Sequence, residues 1–469
     1  MTAVRPEPGS FRDPESRVFY SNGDICRALS PTGLEDFEAL VASGLHEDAR
    51  IVRTERLEDL SAAEGLLEQG AAAVLRHEPV PFVSYPYEWT FSMLKDAALL
   101  QLNLLLSTLD HDLTLKDSSP YNVQFRGART VFVDVGAFER LRPAELWVGY
   151  RQFCMLYLYP LLLQALKGVD FQPWLRGSID GIAPVQMRGL LSFRDRFRRG
   201  LTPNVFLLAR LERPAGAAGR RKARPELGRQ VIRANVRKMR KLVARLDWRP
   251  SENVWVAYGE RNTYTAEDAA QKDRFVREVA ASKRWELVWD LGANNGRHSR
   301  IAAETGAYVV AMDADQGPVE LLYRDLHAAG DERILTLTTN VADPSPSLGW
   351  RSQERRPLLD RGRPDLVLAL ALIHHVTITG NVPVAEFVAW LAELGAAVVV
   401  EFPGRNDPMV QALLATKREG LHPDYDRDVF ERRLSAAFEV RRREELRSGT
   451  RVLYYATPKS PALTSPASP

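Results

Sequence analysis

Cysteine is nearly absent from this 469-residue chain, where Cys26 and Cys154 are the whole complement. Neither sits in a Cys-x-x-Cys pair or beside clustered histidines, so no zinc knuckle and no disulfide framework can be assembled, and a reducing compartment is expected. Long apolar runs are missing too. The longest, FCMLYLYPLLLQAL at 153–166, falls short of the roughly 20 residues that span a bilayer and is broken by Pro160, which predicts a buried helix. The amino terminus, MTAVRPEPGSFRDPESR, has no basic region followed by an apolar run, so no secretory signal is expected. These absences predict a cytoplasmic protein with no membrane partner. There is no internal repeat. What remains is ordinary for a globular protein: 45% apolar and 26% charged residues exclude wholesale disorder and a collagen-like repeat. At roughly 150 residues per domain the length allows about three domains, and at least two real cores.

Net charge is also small, 63 Lys and Arg against 60 Asp and Glu, but it is unevenly spread. Residues 194–249 carry arginine after arginine with few carboxylates, and include the breaker-rich piece RPAGAAGRRKARPELG at 213–228. Breakers with like charges mark a solvated connection. Beyond it, Ile232, Val236, Met239, Val243 and Leu246 recur at spacings of four and three, one apolar stripe on a basic helix. A helix packed on one domain with a solvated basic face is the first reading. Nucleic-acid binding through 194–249 is the second, and the lack of interleaved aromatics counts against it. The expected division is 1–200, a basic linker and helix at 201–250, a second domain at 251–458 and a disordered tail at 459–469.

From Glu286 onward, strand-length apolar runs alternate with amphipathic stretches: ELVWDLG, AYVVAMDAD, RILTLTTN, PDLVLALAL, AAVVVEFPG, FEVRRREEL and RVLYYATP. That alternation predicts an α/β domain with a doubly wound parallel sheet, whose ligands bind beyond the carboxyl ends of the strands. The first run ends in DLGANNGRHS, with Gly292 and Gly296 opening a helix, where backbone passes close to a ligand and helix amides are free. The pattern is neither G-x-G-x-x-G nor a phosphate loop. The second run ends at Asp313, where a carboxylate can accept both hydroxyls of a ribose.

VWDLGANNGRHS followed by VVAMDAD resembles motifs I and II of the class I S-adenosylmethionine-dependent methyltransferases, with Ala293 and Asn294 inside a loop that usually reads D-x-G-x-G-x-G. The resemblance covers about 200 residues and implies a Rossmann-like, seven-stranded domain that moves a methyl group from S-adenosylmethionine to an acceptor the sequence does not name. It implies that Gly292, Asn294 and Gly296 line the methionine end of the cofactor, that Asp290 reaches its ammonium and that Asp313 takes the ribose. Asn340 would meet the adenine amine with Val341 against the ring, and Asp343 is the alternative carboxylate. His374 and His375, after the fourth run, stand where such enzymes carry substrate-side residues, and either is a candidate general base. The competing reading for each is a packed, hydrogen-bonded histidine. Glu401, Pro403 and Asn406 follow the fifth run and face either substrate or a helix cap. Tyr258 and Tyr264, ahead of the fold, either close over the cofactor or pack. No metal is expected. The whole chain also resembles bacterial nodulation-associated methyltransferases, a likeness that places no acceptor.

In the amino-terminal half, TLKDSSPYNVQFRGARTVFVDVGAFE sets Asp117, Pro120 and Asn122 in D-x-x-P-x-N, then Asp134 in D-V-G at a strand end. A base, a metal-binding amide and a metal-binding acid at those offsets are what phosphoryl transfer to a hydroxyl requires. The segment looks like the catalytic loop and D-F-G of protein-kinase-like and aminoglycoside-phosphotransferase-like folds, with FVSYPYEW at 82–89 as the hinge. It departs from them in lacking a glycine-rich loop and a V-A-I-K lysine, and in placing Leu115 where a histidine is usual. The expectation is an α+β kinase-like domain, degenerate in its chemistry. The rivals are a magnesium- and ATP-dependent phosphotransferase run by these residues, a two-domain binding protein without turnover, and a plain Pro-Asn turn.

Overall fold

The computed structural model describes residues 4–58, 70–142, 146–211, 225–250, 264–418 and 420–459. Tyr258, most of the 213–228 piece and nearly all of the 459–469 tail lie outside them. The chain forms two compact units. The first takes in 1–125, 130–249 and 347–356, and the second 126–129, 250–346 and 357–469.

The first unit opens with an antiparallel five-stranded sheet made of β1 (Arg5–Pro6), β2 (Ser16–Ser21), β3 (Asp24–Leu29), β4 (Thr54–Arg56) and β5 (Ala73–His77), in the order β1-β2-β3-β5-β4. Asn22 and Gly23 both have positive φ, the pair that a tight hairpin between β2 and β3 requires. Helix α1 (Pro31–Ala42) starts on Ser30, whose side chain accepts from the Gly33 amide at 3.1 Å. After the sheet in the chain come helix α2 (Phe91–Thr108), the pair β6 (Leu113–Leu115) and β9 (Phe138–Arg140), and the pair β7 (Val123–Arg126) and β8 (Arg129–Phe132), of which residues 126–129 count with the second unit. The apolar run at 153–166 is buried and helical, continuous from Tyr150 to Lys167, with Pro160 near the start of its final segment, Tyr159–Lys167.

The basic helix α3 (Pro225–Arg245) belongs to this unit and packs along α2. Its stripe of Ile232, Val236, Met239 and Val243, extended by Leu246, is buried, and Leu246 O accepts from Lys95 at 2.7 Å. Arg229 and Arg233 pair with Asp112 and Asp110 at 2.6 Å each, so part of the basic face meets acids of the same unit. Val236 is fully buried. Val236→Asp is therefore expected to destabilise this unit by about 3 kcal/mol or more, whereas Arg237→Ala, on the solvated face, should stay within about 0.5 kcal/mol. Urea unfolding of both variants tests this.

A ten-residue segment, 347–356, completes the unit. Glu354 holds Arg12 at 2.6 Å, the Arg356 amide donates to Tyr85 Oη at 2.9 Å, and the Arg356 guanidinium bonds Tyr20 and Glu7.

The second unit is a seven-stranded sheet built from β10 (Leu287–Leu291), β11 (Tyr308–Asp313), β12 (Ile334–Thr338), β13 (Leu366–Ala369), β14 (Ala397–Pro403), β15 (Phe438–Glu445) and β16 (Arg451–Pro458), ordered β12-β11-β10-β13-β14-β16-β15. The first five run parallel, and β16 enters antiparallel to both β14 and β15. The expected all-parallel sheet is thus corrected at one edge. Only five residues separate β15 from β16, enough for a hairpin and too few for a parallel crossover. Helices α4 (Ala266–Ala281), α5 (Arg297–Ala303), α6 (Gln316–Ala329), α7 (Val384–Glu393) and α8 (Arg427–Ala437) accompany the strands. The order reverses at β10, with β11 on one side and β13 on the other, which opens a crevice beyond their carboxyl ends.

Candidate active site

A cavity of about 640 Å³ occupies that crevice, walled by the ends of β10, β11, β12 and β13 and by α4. The chain leaves β10 through Gly292 (φ +74°), Asn294 (φ +50°) and Gly296 (φ +74°) before entering α5. Two amides, those of Gly292 and Ala293, donate to Met312 O at 2.8 and 2.9 Å and tie the loop to β11. A Cβ on Gly296 would come within 2.6 Å of Leu322, so the residue is glycine for space as well as for φ.

Asp313, at the end of β11, fixes the loop from the other side. Its Oδ2 accepts from the Asn294 amide at 2.8 Å and its Oδ1 from the Asp315 amide at 2.9 Å. Burial holds its pKa above the ordinary value against those two bonds. A second buried acid, Asp290, accepts from Ser299 Oγ at 2.6 Å and is likewise pushed up by burial. Both line the cavity, as do Gly292, Asn294, Asn340 and Val341. Gly296, the buried last residue of the loop, and Asp343, which is exposed, are not among the lining residues. Beside Asn340, the Thr339 hydroxyl lines the wall, buried and with no hydrogen-bond partner among the described residues.

The two histidines separate. His375 lines the cavity, and burial, with Arg451 adding to it, pushes its pKa down to about 4. His374 is fully buried behind it, with rings 4.2 Å apart and neither of its ring nitrogens hydrogen-bonded among the described residues. Burial holds His374 neutral.

Beneath the wall lies a set of charges that sequence reasoning only brushed. Glu401, on β14, is fully buried and ion-paired to Lys272 of α4 at 2.7 Å and to Arg451 of β16 at 3.3 Å. Arg451 in turn holds Asp407 at 2.7 Å. Tyr264 Oη donates to Glu401 at 2.7 Å and accepts from Lys272 at 3.0 Å and from Arg451. The two cations pull the Glu401 pKa down to about 2, while burial lowers Lys272 against the pull of Glu401. Lys272 and Tyr264 reach the cavity, and Glu401 anchors them from behind. Lys272, Arg451 and Asp407 carried no sequence signal as site residues. They come from three distant parts of the chain and are joined only by the sheet.

In the first unit Asp117 follows β6, Asn122 closes the turn into β7 and Asp134 follows β8. Burial, reinforced by Asp134, raises the Asp117 pKa. Asp134 is ion-paired at 2.8 Å with Arg27, a buried side chain on β3 that also bonds Ser16 and His77. Among the described residues no group of three or more His, Cys, Asp or Glu is placed to hold a metal ion. A void against Val135, Gly136 and Phe138 measures about 10 Å³, room for a single water at most.

No family model matches the chain. Across 469 residues it is 34% identical to nodulation protein NoeA of Rhizobium meliloti (strain 1021), with 97% of each chain covered. This chain belongs to the NoeA family. Among solved structures, the NoeA-family chain is similar to magnesium protoporphyrin IX methyltransferase of Synechocystis PCC 6803 with bound SAH, at 18% identity and a TM-score of 0.29, covering 40% of this chain and 84% of that one. It is also similar to the N-methyltransferase NodS of Bradyrhizobium japonicum WM9, at 10% identity and a TM-score of 0.30, covering 41% and 98%. At those scores neither likeness fixes an activity or a substrate for the NoeA-family chain.

Proposed function

We propose that the second unit is an S-adenosylmethionine-dependent methyltransferase. The observation that carries this reading is the clasp between Asn294 and Asp313. A left-handed loop opening a helix is bonded to the carboxylate at the end of the next strand, at the switch point of the sheet, on the wall of a cavity large enough for a nucleoside-sized ligand. Each Asp313 oxygen accepts one amide and keeps a lone pair for a ribose hydroxyl. Asn340 and Val341 offer an amide and an apolar surface to an adenine, and the orphaned Thr339 hydroxyl lies beside them. At the other end Asp290 suits an ammonium, and Lys272 gives the partner carboxylate of an amino acid a cation. Asp343, off the wall, has no part in this assignment.

The bound cofactor supplies an electrophilic methyl group. The chain's own residues orient the acceptor and keep water out, and alignment alone contributes much of such a rate. His375 is the acceptor-side histidine, and His374 supports it from the interior. With a pKa near 4, His375 is neutral throughout the physiological range and orients an acceptor more readily than it deprotonates one. The rate of methyl transfer is therefore expected to show no step near pH 6.5, the unperturbed histidine value. A limb at that pH, abolished by His375→Asn, would show that His375 titrates normally during turnover and sink this role.

Calorimetric titration of the full chain with S-adenosylmethionine tests the proposal as a whole. Binding of one cofactor per chain is expected, and an absence of heat overturns it. Magnesium-ATP, titrated in parallel, is the rival ligand, and binding of that nucleotide alone would move the working site to Asp117 and Asp134.

A further inference from the structure

Residues 184–211 of the first unit, PVQMRGLLSFRDRFRRGLTPNVFLLARL, form a cluster of short helical turns: Pro184–Leu190, Phe193–Phe197, Thr202–Leu207 and Leu208–Leu211. Pro184–Leu190 packs on the last two, and Phe193–Phe197 packs on Thr202–Leu207. The only acid in the stretch is Asp195, which is turned inward. It is 4% exposed, bonds the Ser192 amide and hydroxyl at 2.8 and 2.7 Å, and is ion-paired with Lys167 at 2.5 Å. That anchor pins the turn from beneath and drives its other side chains outward.

Phe193 and Phe197 emerge 73% and 76% exposed, edge to face with ring centres 5.5 Å apart. Val185 and Leu211, on neighbouring turns, are 56% and 70% exposed. Arg188, Arg194, Arg196 and Arg199 are exposed and form no ion pair among the described residues, while Arg198 is paired with Asp195 at 3.1 Å. Apolar side chains raised on a well-anchored turn, ringed by cations with no acids of their own, need a partner that is apolar inside and anionic outside.

We propose that this cluster docks the protein on an anionic phospholipid surface, with Phe193 and Phe197 entering the headgroup boundary and the flanking arginines on the phosphates. A bilayer rewards both halves of the pattern: apolar side chains gain by burial at the acyl boundary, and each cation gains near an anionic leaflet. A nucleic acid rewards only the second. Val185 and Leu211 have no π face for a base, and the two phenyl rings sit edge to face against each other instead of spaced for successive bases. Such docking is peripheral and needs no spanning segment, in keeping with the finding that no helix among the described residues is long and apolar enough to cross a membrane.

The test is cosedimentation of the full chain with vesicles of phosphatidylcholine alone and with about 30% phosphatidylserine. Binding to the anionic vesicles only, weakened by added salt, is expected. Phe193→Ser/Phe197→Ser should lower that binding at least about tenfold, and Arg194→Gln/Arg196→Gln should lower it and flatten its salt dependence. All four side chains are exposed, so thermal unfolding should be unchanged and loss of fold cannot mimic loss of docking. Three results overturn the proposal: no binding to anionic vesicles at low salt, binding that survives the double phenylalanine substitution, or preference for a nucleic-acid duplex over vesicles with the phenylalanines immaterial.

Discussion

Asp313→Ala is expected to weaken S-adenosylmethionine binding at least about a hundredfold, the largest single effect foreseen for the cavity. Two losses combine. The carboxylate assigned to the ribose diol in the proposed function disappears, and a charge-assisted pair of hydrogen bonds is worth about 3 kcal/mol or more. The same oxygen also holds the Asn294 amide at 2.8 Å, so the left-handed loop loses its clasp. Asp313→Asn is the intermediate case, because its amide keeps one acceptor for the two backbone amides of Asn294 and Asp315 and turns a donor towards the other. It should sit between wild type and Asp313→Ala in calorimetric titration. Undiminished binding in Asp313→Ala would remove the observation on which the cofactor assignment stands.

The second large effect concerns stability. Glu401→Leu is expected to cost the second unit about 3–5 kcal/mol, because it strands a buried Lys272 without its acid. Arg451 keeps Asp407, so the damage centres on the lysine. Glu401→Leu/Lys272→Met removes both charges and should recover most of the loss, since a buried pair costs its own desolvation. Equilibrium denaturation of the two singles and the double closes the cycle, and additive losses would mean that the pair is not coupled. The pH dependence has a definite sign. Glu401 has a folded pKa of about 2, below its unfolded value of roughly 4.3. Its contribution is full above the unfolded value and is lost as pH falls from there towards the folded one. Glu401→Leu should therefore narrow the stability difference from wild type on acidification.

How much of this was legible beforehand divides along physical lines. Six of the seven strands of the second unit stand out as apolar runs, because strands covered on both faces have nowhere to put polar side chains. Even β15, with its mostly exposed arginines and glutamates, is legible, since it opens on Phe438 and its hairpin partner follows. The loop at Gly292 to Gly296 was legible for a similar reason: positive φ and close backbone approach leave few residue types. The direction of β16 is not carried by the apolar pattern but by the short connection before it, which forbids a crossover.

The charged network was not legible. Lys272 lies in AEDAAQKDRFVREVAA, which reads as a solvated helix, and nothing local says that this lysine turns inward. Its burial is decided by Glu401, 129 positions on (401 − 272), and pairings of that kind exist only once the sheet has formed. The histidine pair shows the converse limit. Adjacent histidines look equivalent in sequence, yet they stand beyond β13 at the start of a helical turn, whose backbone sends His375 to the cavity and His374 into the interior. In the first unit the pairing of Arg27 on β3 with Asp134 is likewise invisible in the sequence, because the two lie 107 positions apart (134 − 27) and meet only in the fold.

The ten residues from 347 to 356 impose an order of events on biosynthesis. A ribosome delivers the chain from its amino terminus, and domains emerging first ordinarily fold first. Here the first unit is still short of parts when residue 249 has emerged: Arg12 waits for Glu354, and Glu7, Tyr20 and Tyr85 wait for Arg356. About a hundred further residues, including β10, β11 and β12, must be synthesised before those partners arrive. The first unit thus starts folding first and is finished only while the second is under construction, and a cut after residue 249 would yield two fragments, neither of them whole.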